Sequence, residues 1–264
     1  MNQPLAYVHP QAKIAQNVVI EPFAVIHKDV EIGEGTWIGP HVTIFEGARI
    51  GKNCRIFPGA SISAVPQDLK FKGEETLTII GDNTTIRECV TINRGTVDKY
   101  RTEIGSNCLL MAYAHVAHDC LIGNNVIIAN AVQLAGHITV GDNANIGGMS
   151  AVQQFVKIGK HAYIGGCTQV RKDVPPYVKA AREPLAYAGV NSIGLRRSGF
   201  SNEKIAEVQD IYQYIYLKNF NNTEAVSRVE LELPATPERD EILNFIRNSE
   251  RGIIRSPGSK IAEE

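Results

Sequence analysis

The chain has 264 residues, with 27 lysines and arginines against 28 aspartates and glutamates, so its formal net charge at pH 7 is −1. A charge so close to zero creates no overall field that would attract nucleic acid, and we expect no nucleic-acid partner. No apolar run is long enough to span a bilayer, and the first residues lack the basic and apolar regions of a signal peptide. We therefore expect a cytoplasmic protein without stable membrane insertion. The five cysteines form no close pairs, which argues against a disulfide framework and a cysteine-based metal site.

An aliphatic residue recurs at every sixth position through most of the chain. One series runs from Val8 to Ile62, a short one from Ile80 to Ile92, and a longer one from Ile104 to Val170. This period fits neither a helix nor an amphipathic strand, but three strand-sized steps of six residues close a triangular coil of eighteen. The pattern is typical of the hexapeptide parallel β-helix, and known proteins of that class coil left-handedly. We expect the aliphatic residue, and a small residue four positions later, to point inward.

Two segments interrupt the period, from Ser63 to Thr78 and from Asn93 to Glu103. A loop that leaves a regular coil is not needed for the core, so such loops often bind ligands. The first segment contains Gln67, Asp68 and Lys70. Lys70 can bind a phosphate as a point charge, but a surface lysine without a ligand explains it equally well.

After the long series, apolar residues follow helical spacing instead. Ser201 and Thr223 are suited to cap two helices, and a third begins at Pro237, because proline is well tolerated at the first helical position. A solenoid exposes its core at an open end, so these helices are well placed to cover it. The sequence thus predicts a mainly β protein, with a left-handed parallel β-helix over residues 1–187 and a C-terminal α-helical domain over residues 188–264.

Several basic residues stand near the junction of these two regions. They are Arg171, Lys172, Arg182, Arg196 and Arg197. Such residues usually form a solvated face, but together they are also suited to meet a phosphorylated or acidic partner.

Positions eighteen residues apart stack in successive coils, so the spacing predicts which side chains share an edge. Three neighbouring columns result: His118, Gly136 and Gln154; Asp119 and His137; and His115. One histidine on a β-helix is more often a solvated residue, but this co-location favours a functional site. A histidine can take a proton from a hydroxyl near neutral pH, and a glycine N–H beside it can hold the oxyanion of an acyl transfer.

These residues, with several longer motifs, closely resemble the UDP-N-acetylglucosamine O-acyltransferases of lipid A synthesis. The motifs are "QDLK", "IRECVTINRGT", "LLMAYAHVAHDC", "LAGH", "IGGMSAVQQF", "GGCTQV", "DVPPYV" and "GVNSIGLRRSGF", in order between about His9 and Arg255. The resemblance implies the first step of lipid A biosynthesis. In that step an (R)-3-hydroxyacyl group moves from acyl carrier protein, which carries it on 4′-phosphopantetheine, to the 3-hydroxyl of UDP-N-acetylglucosamine. It also implies no other cofactor, no metal, and a homotrimer with active sites between subunits.

Carried over residue by residue, the resemblance implies that His118 is the general base, Asp119 its associated acid and Gly136 the donor to the oxyanion. It implies substrate contacts for eight further residues: Gln67, Asp68, Lys70, His115, His137, Gln154, Asn191 and Arg197. Gly166 matches the position where the end of the acyl chain is measured. Glycine there resembles family members that accept long chains.

Alternatives from other classes remain open on the residues alone. A zinc enzyme of the γ-carbonic anhydrase kind is also a hexapeptide helix, and it would use His115, His118 and His137 as ligands. The related N-acyltransferase of the same pathway needs an additional N-terminal domain, for which the early start of the period leaves no room. A non-catalytic scaffold would not need the histidine cluster. Acyl length, ester or amide product, and the nucleotide contacts also stay open, because Ile193 and Ser198 depart from the family pattern.

Overall fold

A computed structural model describes residues 5–218 and 220–256 of the chain. Within them the chain forms 27 strands, most of only two residues, and four helices. Strands one coil apart pair in parallel: Leu109 is in register with Ile127, and Ile127 with Asn145, at intervals of eighteen residues. The chain therefore forms the left-handed parallel β-helix that the six-residue period predicts.

Three sheets form the three sides of the coil. The first sheet consists of β1 (Tyr7–Val8), β4 (Val25–Ile26), β7 (Thr43–Ile44), β10 (Ser61–Ala64), β13 (Thr91–Asn93), β16 (His115–Val116), β19 (Gln133–Leu134), β22 (Ala151–Val152) and β25 (Gln169–Val170). The second sheet consists of β2 (Lys13–Ile14), β5 (Glu31–Ile32), β8 (Ala48–Ile50), β11 (Leu77–Ile80), β14 (Arg101–Ile104), β17 (Leu121–Ile122), β20 (Thr139–Val140) and β23 (Lys157–Ile158). The third sheet consists of β3 (Val19–Ile20), β6 (Trp37–Ile38), β9 (Arg55–Ile56), β12 (Thr85–Ile86), β15 (Leu109–Leu110), β18 (Ile127–Ile128), β21 (Asn145–Ile146), β24 (Tyr163–Ile164), β26 (Val178–Ala181) and β27 (Ala186–Val190).

The core is the stacked series of aliphatic side chains. All twelve members from Ile104 to Val170 are at most 3% exposed, and the small residues four positions later, such as Cys108 and Cys120, are buried with them. Successive corners stack closely, because a Cβ placed on Gly105 would lie 2.6 Å from the carbonyl carbon of Gly123. Only glycine fits such a contact. The buried aliphatic series and these close corners together keep successive coils in register at intervals of eighteen residues.

Loops replace the coil at both predicted interruptions. The first loop joins β10 to β11 over residues 65–76, and the second joins β13 to β14 over residues 94–100. The Thr76 hydroxyl donates to the Gly95 carbonyl at 2.6 Å, so the two loops are in contact. Both leave the coil at the end of a strand of the first sheet, which is also the edge where β16 ends.

Four helices follow the coil: α1 (Ser192–Arg197), α2 (Asn202–Tyr216), α3 (Asn222–Glu232) and α4 (Pro237–Arg247). Ser201 caps α2 as predicted, and α4 starts at Pro237 as predicted. The predicted cap of α3 is wrong, because Asn221 rather than Thr223 accepts the hydrogen bond, from the N–H of Glu224 at 2.9 Å. Asparagine is the stronger N-cap residue, which explains the earlier start.

The helices pack on the end of the coil. The Tyr212 hydroxyl of α2 donates to the Pro176 carbonyl at 2.5 Å, and the rings of Tyr187 and Tyr216 stack with centroids 4.3 Å apart. The proposed domain boundary between residues 187 and 188 falls inside β27, which pairs with β26 of the coil. No helix in the described part of the chain is long and apolar enough to cross a membrane.

Candidate active site

His118 and Asp119 lie at the corner between β16 and β17, on the edge from which both loops leave. Asp119 has a φ of 59°, and His137, its counterpart one coil later, has a φ of 64°. Aspartate and histidine are among the side chains that occupy this left-handed region most readily. The His137 N–H donates to the His118 carbonyl at 3.0 Å. The repeated corner therefore brings His118, Asp119 and His137 together, as the eighteen-residue spacing predicts.

His118 and Asp119 form a buried hydrogen-bonded pair. Nδ1 of His118 lies 2.8 Å from Oδ2 of Asp119, and the two residues are only 5% and 0% exposed. When Asp119 is ionised, Nδ1 carries the proton of this bond and Nε2 keeps a free lone pair. Gly136 lies beside that ring, since a Cβ placed on it would be 2.8 Å from Nε2. The predicted column is present, and the glycine keeps the space beside Nε2 open.

Asp119 is kept ionised by contacts with the second loop. Thr96 donates to its carboxylate from the backbone N–H at 3.0 Å and from the hydroxyl at 2.6 Å, and the Lys99 N–H donates at 3.2 Å. Burial alone would raise the pKa of Asp119, but the hydrogen bonds from His118 and Thr96 outweigh it and hold the pKa well below its ordinary value. Asp119 therefore acts only as a hydrogen-bond acceptor at neutral pH.

His137 belongs to a second histidine–aspartate pair. Its Nδ1 lies 2.9 Å from Oδ2 of Asp98, which comes from the second loop. The ring meets His118 edge-on, with centroids 4.9 Å apart, and stacks on Phe155 at 4.5 Å. His137 is thus fixed on three sides, so both its position and its orientation are set before any ligand binds.

His115 points outward from β16, next to this cluster. Its Nδ1 lies 2.7 Å from the Thr91 hydroxyl on the neighbouring strand. Burial, and to a lesser degree the charge of His118, lower the pKa of His115. His115 is therefore neutral at pH 7 and suited to hydrogen bonding rather than to holding a charge.

One group of side chains in this cluster has the spacing of a metal site. Among the described residues, the only group of metal-binding side chains close enough to share an ion is His118, Asp119 and His137, with ligand atoms within 4.8 Å of one another. The zinc alternative requires His115, which is not in that group. Nδ1 of His118 is hydrogen-bonded to Oδ2 of Asp119, and the Thr96 hydroxyl donates a second hydrogen bond to the same carboxylate oxygen. This donor set fits a hydrogen-bonded network better than a metal centre.

Four further residues predicted to contact substrate lie on the first loop and on the coil beyond Gly136. Gln67 and Lys70 are exposed on the first loop, and Asp68 there accepts the Lys70 N–H at 3.0 Å. Gln154 is exposed one coil beyond Gly136. No hydrogen bond or ion pair within residues 5–218 and 220–256 joins any of these to His118 or Asp119.

Two predicted contacts lie at the helical end of the chain. Asn191 caps α1 by accepting the Gly194 N–H at 3.2 Å, and its amide donates to the His161 carbonyl at 2.9 Å. Arg197 is exposed at the end of α1. Asn191 therefore has a structural task that the sequence did not reveal, and its amide keeps one N–H and one oxygen lone pair beyond these two bonds.

Gly166, the predicted chain-length position, is exposed at the corner before β25. Gly166 lies at the corner where a strand of the first sheet begins, whereas His118 lies at the corner where a strand of that sheet ends. The two residues are therefore at opposite edges of the same face. A Cβ on Gly166 would meet the Gly148 carbonyl at 3.0 Å. A larger side chain there would therefore extend over the surface beside that edge.

Three residues of the site were not predicted from the sequence: Thr96, Asp98 and Lys99. All belong to the second interruption of the period, which the sequence identifies as a ligand loop without assigning its side chains. The loop begins one strand before β16 on the same edge, and that position was the signal for its contact with His118 and Asp119.

Comparison with known proteins gives consistent matches. The family "Udp N-acetylglucosamine O-acyltransferase; Domain 2" matches residues 173–254, and bacterial transferase hexapeptide repeats match residues 101–136. Residues 2–104 match a GMPPB C-terminal domain.

Two curated relatives are named acyl-[acyl-carrier-protein]–UDP-N-acetylglucosamine O-acyltransferase. The one from Trichlorobacter lovleyi is 53% identical over 254 residues, 95% of this chain and 97% of that relative. The one from Sulfurihydrogenibium sp. is 56% identical over 251 residues, 95% and 93% of the two chains.

Two solved structures extend the match to the whole fold. The UDP-N-acetylglucosamine acyltransferase of Bacteroides fragilis is 53% identical, with a TM-score of 0.95 over 97% of this chain and 100% of that one. The Arabidopsis UDP-N-acetylglucosamine acyltransferase is 32% identical, with a TM-score of 0.82 over 97% and 100% of the two chains. With identity this high over nearly its full length, the chain belongs to the UDP-N-acetylglucosamine O-acyltransferase family.

Proposed function

We propose that the protein transfers an (R)-3-hydroxyacyl group from acyl carrier protein to the 3-hydroxyl of UDP-N-acetylglucosamine, the first step of lipid A biosynthesis. The names of its relatives supply the donor and the acceptor. The observation that carries the proposal is the placement of His118 between the Asp119 carboxylate and Gly136. A base with an oriented lone pair beside a glycine suits acyl transfer between neutral substrates.

His118 acts as the general base in this proposal. The ionised Asp119 keeps the proton on Nδ1, so Nε2 accepts the proton of the sugar hydroxyl as its oxygen attacks the thioester carbon. General-base catalysis of this kind contributes typically 10²–10⁴-fold. Asp119 also stabilises the imidazolium that forms, because its carboxylate lies in direct contact with the ring.

The Gly136 N–H stabilises the oxyanion. This N–H donates to no other group in the described part of the chain. As the tetrahedral intermediate collapses, the carbon–sulfur bond breaks, and His118 returns its proton to the leaving pantetheine thiolate. A new ester bond replaces the thioester, and no metal, further cofactor or covalent enzyme intermediate takes part.

The remaining residues that the family resemblance implicates are proposed to bind the substrates. Gln67, Asp68 and Lys70 of the first loop contact sugar, diphosphate or pantetheine, and His115, His137 and Gln154 line the site. Asn191 and Arg197 face the nucleotide or the donor at the junction with the helices. Gly166 is proposed to set acyl length. Residues 1–187 form the catalytic β-helix and residues 188–264 the helical domain in this proposal; residues 1–4, 219 and 257–264 lie outside the described part of the chain.

We further propose that the protein is a cytoplasmic homotrimer. Tyr113 and Met149 are 64% and 70% exposed in one column at the corner before the first sheet. Large apolar side chains exposed in a row are typical of a surface that another chain covers. In a closed ring of three, subunits contact head-to-tail, so this edge of one subunit would face a different edge of its neighbour, here the edge that carries His118.

One assay tests the proposed activity. The purified protein is incubated with UDP-N-acetylglucosamine and a panel of hydroxyacyl carrier proteins, and products are identified by mass. We expect one acylated nucleotide sugar, whose ester is cleaved by mild base. The 3-amino analogue of the acceptor, assayed in parallel, tests for amide formation. The absence of any acylated nucleotide sugar with every donor would show that the proposal is wrong.

A further inference from the structure

Two histidine rings stand within reach of the same carboxylate oxygen. Nδ1 of His118 lies 2.8 Å from Oδ2 of Asp119, and Nδ1 of His137 lies 3.9 Å from that atom. A small turn of the carboxylate or of the His137 ring would bring Asp119 into hydrogen-bonding distance of the second histidine. His118 would then share or lose the partner that keeps the proton on its Nδ1 and leaves Nε2 free to act as a base. The protein must therefore hold Asp119 on one of two rings.

The second loop, residues 94–100, occupies the rest of that carboxylate. Oδ1 of Asp119 accepts the backbone N–H groups of Thr96 at 3.0 Å and of Lys99 at 3.2 Å, and Oδ2 accepts the Thr96 hydroxyl at 2.6 Å. An ionised carboxylate has about four lone-pair sites. Together with the bond from His118 to Oδ2, each oxygen accepts two hydrogen bonds. The carboxylate is therefore fully occupied, and His137 finds no acceptor on it.

The same loop gives His137 a partner of its own. Oδ2 of Asp98 lies 2.9 Å from Nδ1 of His137. The Thr96 hydroxyl oxygen accepts the Asp98 N–H at 3.3 Å, so its own proton goes to the Asp119 carboxylate. Thr96 and Asp98 are therefore fixed relative to each other, one of them on Asp119 and the other on His137.

The hydroxyl of Thr96 differs from those of buried threonines in the coil. Thr36 and Thr84 are fully buried, and each donates to a backbone carbonyl of the next coil, at 2.9 Å and 2.8 Å. Such bonds hold one coil on the next. Thr96 is also buried, at 7% exposed, but its hydroxyl donates to the side chain of Asp119. Its bond therefore acts on the histidine pair and not only on the backbone.

We propose that Thr96 is a positioning residue that reserves the Asp119 carboxylate for His118, and that Asp98 assists by holding His137 on a carboxylate of its own. The inference rests on the proposed function, since it explains which of the two rings that reaction uses as its base. Without the Thr96 hydroxyl, one lone pair of Oδ2 becomes free. Without Asp98 as well, Nδ1 of His137 is free to take it.

Removal of the hydroxyl is the first test. In Thr96→Val, which keeps the shape of the side chain, we expect kcat to fall by about tenfold with little change in KM, because a charged hydrogen bond that orients the base is lost and no substrate contact is. Thr96→Ser keeps the hydroxyl and should stay within about threefold of the unmodified protein. Thr96→Ala replaces the valine variant if that variant does not fold. An unchanged kcat in Thr96→Val, or equal losses in the serine and valine variants, would overturn the inference.

Thr84→Val is the matched control. It removes a buried hydroxyl at a different edge of the coil, where Thr84 also accepts the Cys108 N–H at 3.2 Å. Both valine variants should lower the thermal midpoint, because each removes a buried hydrogen bond. Only Thr96→Val should lower kcat, at a temperature at which circular dichroism shows every variant folded. A similar fall in kcat in Thr84→Val would assign the effect to loosening of the coil and overturn the inference.

A double-mutant cycle tests the choice between the two rings. Asp98→Ala alone should lower kcat by less than about threefold, since Thr96 still fills the Asp119 carboxylate. Combined with Thr96→Val, it releases His137 at the same time as a lone pair of Asp119. The loss in kcat should then exceed the product of the two single losses by at least about threefold. Losses that simply multiply would show that the two residues act separately and would overturn the inference.

NMR of the ring nitrogens separates this inference from the proposed function. At a pH at which the ring is neutral, Nδ1 of His118 should carry the proton in the unmodified protein, and a second tautomer should appear in the double variant. Comparison with His118→Ala assigns the signals. If no acyl group is transferred, the proposed function fails and the spectra still decide the inference. A proton on Nε2 in the unmodified protein, or an unchanged His118 signal in the double variant, would overturn the inference even where acyl transfer stands.

Discussion

Gly136 lies so close to His118 that a single methyl group at residue 136 would overlap the imidazole. An added Cβ would be 2.6 Å from Cε1 of His118 and 2.8 Å from its Nε2. The ring cannot easily turn away, because Asp119 holds Nδ1 and the His137 ring packs perpendicular to it with centroids 4.9 Å apart. The catalytic geometry proposed for His118 therefore depends on the absence of a side chain one coil away.

Gly136→Ala tests this dependence. We expect kcat/KM to fall by two orders of magnitude or more, because the methyl group displaces Nε2 and crowds the proposed oxyanion site. The thermal midpoint should fall as well, because the methyl group meets a buried ring that Asp119 and His137 hold in place, so rates are compared at a temperature at which circular dichroism shows both proteins folded. Gly165→Ala is the matched control, because an added Cβ there meets nothing nearer than 3.5 Å. Activity of Gly136→Ala within threefold of the unmodified protein would contradict the expectation.

His118→Ala tests the base itself. We expect kcat/KM to fall by about 10²–10⁴, the usual contribution of general-base catalysis. The variant should bind UDP-N-acetylglucosamine with nearly unchanged affinity, since the proposed role lies in the transition state. The two quantities are measured by initial rates and by calorimetric titration. A loss below tenfold would show that another group removes the proton.

Asp119 makes the free energy of unfolding depend on pH, and the direction of that dependence follows from its lowered pKa. Its pKa is lower in the folded chain than in the unfolded chain, so ionisation stabilises the fold. This stabilisation, on the order of 2 kcal/mol, is fully present above the unfolded pKa of about 4 and is lost as the pH falls towards the folded value. We expect Asp119→Asn to have a lower free energy of unfolding than the unmodified protein at pH 7, and the gap between the two proteins to shrink at pH 3. Urea titrations of both proteins at each pH measure this gap. A gap of the same size at pH 7 and pH 3 would show that ionised Asp119 does not stabilise the fold.

The sequence predicted the coil of this protein much better than its loops. The series from Ile104 to Val170 determined the sheets because each coil repeats the same three strands, so one register relation places every corner. That relation brought His118 beside Gly136 and Asp119 beside His137 without any structure. The eighteen-residue spacing does not apply to residues 94–100, which leave the repeat. It therefore did not predict the contact of Asp98 with His137 or the hydrogen bonds that Thr96 and Lys99 donate to Asp119.

The same limit applies to the helical end of the chain. Helix starts were predicted at Ser201 and Pro237 because capping is local, within one turn of the sequence. The capping role of Asn191 was missed, because α1 is only six residues long and has no apolar period to announce it. The cavity lined by residues 169–172 and 250–255 was not predicted, since it forms only where the segment after α4 returns to the coil.

Asp98→Asn tests the second histidine–aspartate pair. Asp98 is exposed on its loop, so the substitution should leave the thermal midpoint unchanged. It removes the charged acceptor of His137 Nδ1, and we expect KM for UDP-N-acetylglucosamine to rise about three- to tenfold, as loss of a charged hydrogen bond at the surface predicts, with a smaller effect on kcat. Asp210→Asn, an exposed aspartate of α2, is the control. A fall in kcat/KM of about 10² or more, as expected of His118→Ala, would mean that His137 takes part in proton transfer.

Gly166→Met tests the proposed limit on the acyl chain. Its added Cβ would meet the Gly148 carbonyl at 3.0 Å, so the longer side chain must extend outward over the edge of the first sheet opposite His118. We expect the preferred donor to become shorter by several methylene groups, because each buried methylene contributes about 0.8 kcal/mol and those beyond the new side chain lose their contact. Competition among hydroxyacyl carrier proteins of different lengths measures the preference. Lys52→Met places the same side chain at the equivalent corner position on another edge and should leave the preference unchanged. An unaltered length preference in Gly166→Met would show that the chain ends elsewhere.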